Sequence, residues 1–292
     1  MELTGRTAVI TGAGSGFGRE FARLGAARGM KLALADINQG ALDAIVTELR
    51  DAGVEVIGVR TDVSKSADVQ ALADVTMAQF GAVHLLFNNA GVASGGYVWE
   101  STDADWQWVM GANVWSVIHG VRIFTPLMLA HGEPGYIVNT ASAAGLINAP
   151  NMGIYNVSKH AVVALSETLY QDLKLANANI GVSVLCPAFV RTGIAQSHRN
   201  RPAELANSTA PTESMLAAQA SSVQAVESAR LSAADIAQQT FEAIDTAQFY
   251  IIPHKKILEL VKLRMRDIVS HEAPSPIFAI DTRKAPADEE FC

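Results

Sequence analysis

The chain is poor in the residue types that mark several large classes of protein. Its 292 residues include only two cysteines, Cys186 and Cys292, which excludes a disulfide framework. The chain has 22 Lys and Arg against 29 Asp and Glu. Its net charge of −7 lacks the excess of positive charge that proteins use to bind DNA or RNA. No apolar run approaches the roughly 18 residues of a membrane span, and no basic and hydrophobic export segment opens the sequence. We expect a cytoplasmic protein that binds neither nucleic acid nor a membrane.

Histidine is scarce as well. The seven histidines are scattered, and none falls in a metal-ligand spacing such as H-E-x-x-H. We therefore expect no metal site.

Apolar residues are abundant, at 49% of the chain against 17% charged residues, so a large buried core is available. Short β-branched or aliphatic runs at residues 7–11, 32–35, 54–59, 84–87, 136–139, 182–186 and 249–252 are predicted to be strands. Amphipathic stretches at residues 18–28, 41–51, 68–80, 105–129, 158–176 and 233–245 are predicted to be the intervening helices. This alternation predicts an α/β fold, a Rossmann-type doubly wound sheet of seven parallel strands with helices on both faces.

We divide the chain into one domain, residues 1–254, and a C-terminal helix and tail, residues 255–292. Residues 193–231 break the alternation, and they are predicted to form one or two helices on a mobile flap over the substrate, because they follow a strand end. The tail from residue 271 is rich in proline, and we expect it to pack on a neighbouring subunit or to be disordered.

A glycine-rich turn follows the first predicted strand. Gly12, Gly16 and Gly18 lie between this strand and a helix start, where glycines let the backbone approach a pyrophosphate at the helix N-terminus. An ordinary strand-to-helix turn is the alternative. Asp36 ends the second strand, where a carboxylate can accept hydrogen bonds from ribose hydroxyls and would repel a 2′-phosphate. Neither Ser15 nor Ile37 supplies a basic group that could neutralise that phosphate, so the sequence favours NAD over NADP.

Tyr155 and Lys159 are one helical turn apart and therefore share a helix face. A phenol has a pKa of about 10, which a nearby cation lowers, so that its oxygen can exchange a proton with an alcohol or carbonyl. The spacing alone occurs by chance on many helices.

Several further motifs occur in a fixed order with these. The chain carries Thr11-Gly12-x-x-x-Gly16-x-Gly18, Asp62-Val63, Asn88-Asn89-Ala90-Gly91, Asn113, Ser142, Tyr155-x-x-x-Lys159 and Pro187-x-x-Val190-x-Thr192. In these motifs, over residues 3 to 253, it resembles the single-domain branch of the short-chain dehydrogenase/reductase superfamily.

The resemblance implies which residues bind NAD. Asp62 and Val63 would contact the adenine, and Val190 and Thr192 the nicotinamide carboxamide. The full expected cofactor set is Gly12, Ser15, Gly16, Phe17, Gly18, Asp36, Ile37, Asp62, Val63, Asn89, Ala90, Gly91, Tyr155, Lys159, Pro187, Val190 and Thr192.

The resemblance also implies the catalytic residues. Tyr155 would be the general acid/base, and Lys159 would lower the pKa of Tyr155 and bind the nicotinamide ribose. Ser142 would orient the substrate oxygen, and Asn113, in the middle of a helix, would support a proton relay through Lys159.

The substrate is less strongly encoded. The expected pocket residues, Ala93, Ser94, Ser142, Ala144, Met152, Tyr155, Ala188 and Phe189, are largely apolar, which favours a neutral secondary alcohol or ketone. Residues 200–202 and 250–253 are also similar to bacterial dehydrogenases of benzylic alcohols in lignin-type aryl ethers. Four tryptophans, Trp99, Trp106, Trp108 and Trp115, are expected in core or subunit packing rather than in substrate stacking.

Three features depart from the family pattern. Ala188 replaces the usual glycine after Pro187, Phe17 stands where many relatives carry an aliphatic residue, and about 40 residues continue beyond the last strand. We expect a homodimer or homotetramer, with the extension modifying one of the family's subunit interfaces. A non-catalytic NAD-binding regulatory protein and an NAD-recycling epimerase or dehydratase are the competing functions. The intact Asn113, Ser142, Tyr155 and Lys159 oppose the first, and the lack of a sugar-nucleotide domain opposes the second.

Overall fold

The computed structural model of the chain describes residues 2–277, and these form one seven-stranded parallel sheet between two layers of helices. The strands are β1 (Thr7–Thr11), β2 (Lys31–Asp36), β3 (Val56–Arg60), β4 (Leu85–Asn88), β5 (Gly135–Thr140), β6 (Ile180–Leu185) and β7 (Tyr250–Ile251). The helices are α1 (Gly16–Ala27), α2 (Gln39–Asp51), α3 (Ser66–Phe80), α4 (Asp103–Met110), α5 (Ser116–His131), α6 (Gly153–Leu175), α7 (Glu213–Glu227), α8 (Ala233–Thr246) and α9 (Lys256–Val269). The predicted fold class is confirmed.

The central strands are buried on both faces, as their continuous apolar sequences require. Phe21, Leu42 and Phe241 bring α1, α2 and α8 into the core on one face of the sheet. On the other face, Leu72 and Phe124 do the same for α3 and α5. None of the helices described in residues 2–277 is both long and apolar enough to cross a membrane.

The strand order is β3-β2-β1-β4-β5-β6-β7. Strands β2 and β3 are added on one side of β1, and β4 to β7 are added on its other side, so the order of addition reverses between β1 and β4. In open parallel sheets, ligands bind in the crevice outside the carboxyl ends of the strands at such a switch point. The topology therefore places the glycine turn, which follows β1, beside the segment that follows β4.

The predicted flap, residues 193–231, contains one α-helix, α7, and two short 3₁₀ helices, Gly193–Asn200 and Ala203–Leu205. Arg201 connects the flap to α4, since its guanidinium donates to the buried Asp105 carboxylate over 2.6 Å and lies 5.1 Å from the Trp108 ring centroid. Asn207 donates to the same carboxylate over 2.9 Å. A buried, hydrogen-bonded ion pair thus joins the flap to the body of the domain.

The C-terminal helix forms where the sequence predicted it. Within residues 271–277, the Ser275 backbone N–H donates to the Asp267 carboxylate of α9 over 2.9 Å, so this part of the tail folds back on its own helix. Residues 278–292 lie outside the described residues, and the expectation that the tail packs on a neighbour or is disordered stays a prediction.

A buried chain of polar side chains joins β4, β5 and α6. Asn88 donates to the Asn139 side chain over 2.8 Å, and Asn139 donates to the Ser166 hydroxyl over 3.0 Å. Gly120 of α5 lies directly against this chain, because a Cβ at this position would be 1.9 Å from Asn88 Oδ1.

We expect Gly120→Ala to lower the free energy of unfolding by about 1–3 kcal/mol, since the added methyl must displace buried, hydrogen-bonded atoms. Gly40→Ala is the matched control. A Cβ at Gly40 has Asn38 Oδ1 as its nearest neighbour, at 3.7 Å, and should be tolerated. Urea unfolding of both variants checks the prediction, and equal stability of Gly120→Ala and the unmodified protein would contradict it.

Candidate active site

One cleft at the carboxyl ends of the strands, with a volume of about 420 Å³, collects most of the predicted site residues. Its walls include Gly12, Ser15, Gly16, Phe17, Asp36, Ile37, Asp62, Val63, Asn89, Ala90, Gly91, Ser142, Ala144, Met152, Tyr155, Lys159, Pro187, Ala188, Phe189, Val190 and Thr192. Gly18 and Asn113 are absent from this lining, and so is Ser94, whereas the neighbouring Ala93 lines the cleft. The structure therefore brings together residues that are far apart in the sequence.

Gly18 lies behind the glycine turn and determines its shape. A Cβ at Gly18 would be 2.1 Å from the Gly12 carbonyl oxygen and 2.8 Å from Asn89 Nδ2, so only glycine fits. Gly12 itself has a φ of 67°, which favours glycine. Ser15, the residue before α1, makes no side-chain cap, which leaves the first N–H groups of α1 facing the cleft without a side-chain acceptor. This cradle fits a pyrophosphate.

Asp36 is held at the end of β2 by two backbone donors. Gly14 N–H donates to one carboxylate oxygen over 2.8 Å, and Asn38 N–H donates to the other over 2.9 Å. These contacts fix the carboxylate in the cleft wall beside the glycine turn.

Lys159 is buried beneath the other end of the cleft, with 4% of its surface exposed. Its ammonium donates to the Thr140 carbonyl over 2.9 Å and lies 5.7 Å from the Tyr155 ring centroid. Burial lowers the pKa of Lys159 to about 8.

Tyr155 differs from the expectation in one respect. Its pKa is raised, because burial of the phenol outweighs the neighbouring Ser142 hydroxyl, which lowers it. The expected lowering by Lys159 is thus not the dominant effect in this structure, since the lysine lies over the ring and donates to Thr140.

Asn113 occupies a π-helical turn, Gly111–Trp115, between α4 and α5, rather than the middle of a regular helix. Its side chain is 1% exposed, accepts from Val92 N–H over 2.8 Å and donates to the Ser158 hydroxyl over 3.0 Å. Gly91 separates Asn113 from Lys159, since a Cβ there would be 3.1 Å from Asn113 Oδ1 and 3.5 Å from Lys159 Nζ. Asn113 is therefore a buried connection between the segment after β4 and α6.

Ser142 connects the loops after β5 and β6. Its hydroxyl donates to the Pro187 carbonyl over 3.3 Å and accepts from Ala144 N–H over 3.2 Å. The next residue in the second loop, Ala188, donates its N–H to His254 Nδ1 over 3.2 Å. Hydrogen bonds to Ser142 and to His254 therefore hold the loop that carries Phe189 and Val190.

Sequence reasoning missed part of the cleft wall. Trp108, which we expected in packing, is 7% exposed and lines the cleft as well. Leu205 lines the cleft from the flap, which was predicted to lie over the substrate. Ile257, Leu260 and Ile277 of the C-terminal extension line it as well, and they were not predicted. Ile257 and Leu260 are three residues apart and share one face of α9. This spacing was the signal in the sequence that could have indicated an apolar face of the extension.

Three potential metal ligands, His84, His131 and Glu133, gather among the described residues at the opposite end of the sheet. Both ring nitrogens of His131 are engaged, one with the Val83 carbonyl and one with Glu133 N–H, and His84 Nδ1 accepts from Thr7 N–H. Glu133 also forms an ion pair with Arg6. The group is therefore a hydrogen-bonded cluster, and the expectation of no metal site stays a prediction.

Comparison with known proteins agrees with this geometry. The family model described as short chain dehydrogenase matches residues 6–203. A CLA biosynthesis dehydrogenase/reductase from Lactiplantibacillus plantarum is 36% identical over 268 residues, which cover 91% of this chain and 93% of that protein. A C alpha-dehydrogenase from Sphingobium sp. strain SYK-6 is 32% identical over 271 residues, which cover 92% and 87%.

Among solved structures, a short-chain dehydrogenase/reductase from Burkholderia phymatum in complex with NAD is 58% identical, with a TM-score of 0.93 over 94% of this chain and 98% of that one. The chain belongs to the short-chain dehydrogenase family of oxidoreductases.

The buried lysine yields a stability prediction. The pKa of Lys159 falls from 10.5 to about 8 on folding, because the buried site disfavours the charged form. Burial of the charged lysine therefore lowers the free energy of unfolding fully below pH 8, and this loss disappears as the pH rises towards 10.5. The unmodified protein should therefore gain stability relative to Lys159→Met, by a few degrees in Tm, between pH 7 and pH 10. Lys174→Met, an exposed position on the same helix, is the control and should show no such trend. Parallel pH profiles of Lys159→Met and the unmodified protein would contradict the prediction.

Proposed function

We propose that the protein is an NAD-dependent oxidoreductase that interconverts a neutral, hydrophobic or aromatic secondary alcohol and its ketone. One observation carries the proposal. Ser142, Tyr155 and Lys159 share a single cleft with the glycine turn and Asp36, so that a dinucleotide bound along the cleft would end beside the phenol.

The cofactor is proposed from the fit of the cleft. The N-terminus of α1 would hold the pyrophosphate, Asp36 the adenosine ribose, and Lys159 the nicotinamide ribose. Bound NAD would supply the hydride acceptor. The relative from Burkholderia phymatum, which was solved with NAD, supports this assignment.

The chain's own residues would manage the proton. In alcohol oxidation, the Tyr155 phenolate would take the hydroxyl proton, while the Ser142 hydroxyl donates a hydrogen bond to the substrate oxygen. The raised pKa of Tyr155 means that burial opposes deprotonation of the phenol, so positive charge at Lys159 is needed to favour it. Asn113 would act through its neighbours, by fixing the segment after β4 against Ser158 of α6.

The substrate class is proposed from the walls near Tyr155. Ala144, Met152, Ala188 and Phe189 line this part of the cleft, together with Trp108. The acidic lining residues Asp36 and Asp62 belong to the opposite end, after β2 and β3. The basic lining residues are Lys159 and Arg199, and the remaining side chains near Tyr155 form an apolar chamber, which favours a neutral substrate over a carboxylate-rich one.

A homo-oligomer, dimer or tetramer, is part of the same proposal. Trp115 and Leu129, on the helical segment from 103 to 131, are 52% and 45% exposed. Val157, on α6, is 47% exposed. Apolar side chains exposed on two adjacent helices suit a subunit contact.

Tyr155→Phe should retain NAD binding and lose about 10² to 10⁴-fold in turnover, because it removes the general acid/base and keeps the ring. Tyr170→Phe is the control. Tyr170 lies about four turns further along α6 and packs against Phe249, so this variant should keep its activity. NADH absorbance with a panel of secondary alcohols measures turnover. Near-normal turnover by Tyr155→Phe would rule out the proposed mechanism.

Asp36 should determine the choice of cofactor. The unmodified protein should prefer NAD to NADP, and Asp36→Ala should reduce that preference by about 10-fold or more, since the carboxylate repels the 2′-phosphate. Asp43→Ala, at an exposed position on α2, the helix that follows β2, is the control. Equal kcat/KM for the two cofactors in the unmodified protein would show that Asp36 does not sense the 2′ position.

A further inference from the structure

The C-terminal extension reaches the active-site cleft of its own chain. Ile257 and Leu260 from one face of α9, and Ile277 from the segment after it, line the same cleft as Ser142 and Tyr155. All three side chains are aliphatic and partly buried. Within the described part of the extension, residues 255–277, the side chains that line the cleft are therefore all apolar.

Contacts at both ends hold the extension in this position. Before α9, His254 Nδ1 accepts from the N–H of Ala188, which is itself part of the cleft wall. Within α9, Arg264 donates to the Leu146 carbonyl over 3.4 Å, next to the loop that carries Ser142.

Asp267 folds the following segment back onto α9. Its carboxylate is 4% exposed, and it accepts from the Ser275 N–H over 2.9 Å and from the Ser275 hydroxyl over 3.2 Å. This closed turn brings Ile277, two residues further on, to the cleft. The placement of the extension thus depends on specific polar contacts as well as on its apolar face.

Side chains from α4 and the flap line the cleft as well. Trp108 and Gln107 belong to α4 and Leu205 to the flap, and Arg201 fixes Leu205 by donating to its carbonyl over 2.7 Å. Arg199 of the flap is a basic lining residue. A substrate at Tyr155 would therefore meet mostly uncharged side chains, and the part of the lining that comes from the extension is apolar.

We propose that α9 and residues 270–277 form a specificity element, which selects secondary alcohols with a bulky apolar substituent and disfavours small ones. Ile257 and Leu260 would contact that substituent directly, and Ile277 would close the cleft over it. The proposal rests on the proposed function, which it refines by assigning one wall of the substrate pocket to the extension.

The test compares Ile257→Ala and Leu260→Ala with Leu258→Ala in the full chain. Leu258 is the matched control because it belongs to the same helix, is 42% exposed and does not line the cleft. The measured quantity is the ratio of kcat/KM for a naphthyl-substituted secondary alcohol to that for isopropanol.

We expect this ratio to be high in the unmodified protein and to fall about 10-fold in each cleft variant, as for loss of a few methylene contacts. The NAD affinity and the Leu258→Ala ratio should not change. Ile257→Phe, which fills the cleft, should lose activity on the naphthyl alcohol more than on isopropanol. Ratios that stay constant in Ile257→Ala and Leu260→Ala would overturn the proposal and leave the proposed function intact.

A binding measurement separates the two proposals. Calorimetric titration of the corresponding naphthyl ketone into the NADH-loaded protein should show weaker binding by Ile257→Ala and Leu260→Ala than by Leu258→Ala. If no alcohol or ketone is turned over, the proposed function fails, and this titration still decides the role of the extension. Equal ketone affinity in all three variants would refute that role.

Discussion

The site depends on how α6 is held against the carboxyl ends of β4 and β5. This helix carries both Tyr155 and Lys159, and it buries the lysine with the Thr140 carbonyl as the hydrogen-bond partner of its ammonium. Gly145 permits the close approach, because a Cβ there would be 2.6 Å from the Lys159 carbonyl oxygen. The buried Asn139 fixes the same helix about two turns further along, through Ser166. Polar contacts inside an apolar interface thus set the position of the phenol, and they leave little freedom for substitution.

The two ends of the cleft obey different physical requirements. At the adenosine end, backbone geometry is decisive, since the space around Gly12 and Gly18 admits no side chain. At the Tyr155 end, side chains from α4, the flap and α9 enclose the cleft, and those from α9 are apolar. The same kind of cofactor site can therefore be combined with different side chains around the substrate. The similarity of this chain to dehydrogenases with different names is consistent with this separation of the two ends.

Much of this arrangement could be predicted from the sequence, because strand-end motifs in a parallel sheet must meet at one edge. The glycine turn and Asp36 are local signals of that kind. The π turn at Asn113 could not be predicted, since it depends on tertiary contacts with Val92 and Ser158. The raised pKa of Tyr155 was missed for a similar reason, because burial is a property of the assembled cleft. The folding back of residues 271–277 depends on Asp267 and Ser275, which are eight residues apart and whose pairing no periodicity reveals.

In the proposed reaction, a hydride passes from the carbinol carbon of an apolar secondary alcohol to NAD, while Tyr155 takes the hydroxyl proton. This transfer can be followed by incubating the protein with NAD and a phenyl-substituted secondary alcohol deuterated at the carbinol carbon, and then measuring the NADH by mass spectrometry. We expect NADH that carries one deuterium and a ketone that carries none. NADH without deuterium, or no NADH with any alcohol of this class, would refute the proposed reaction.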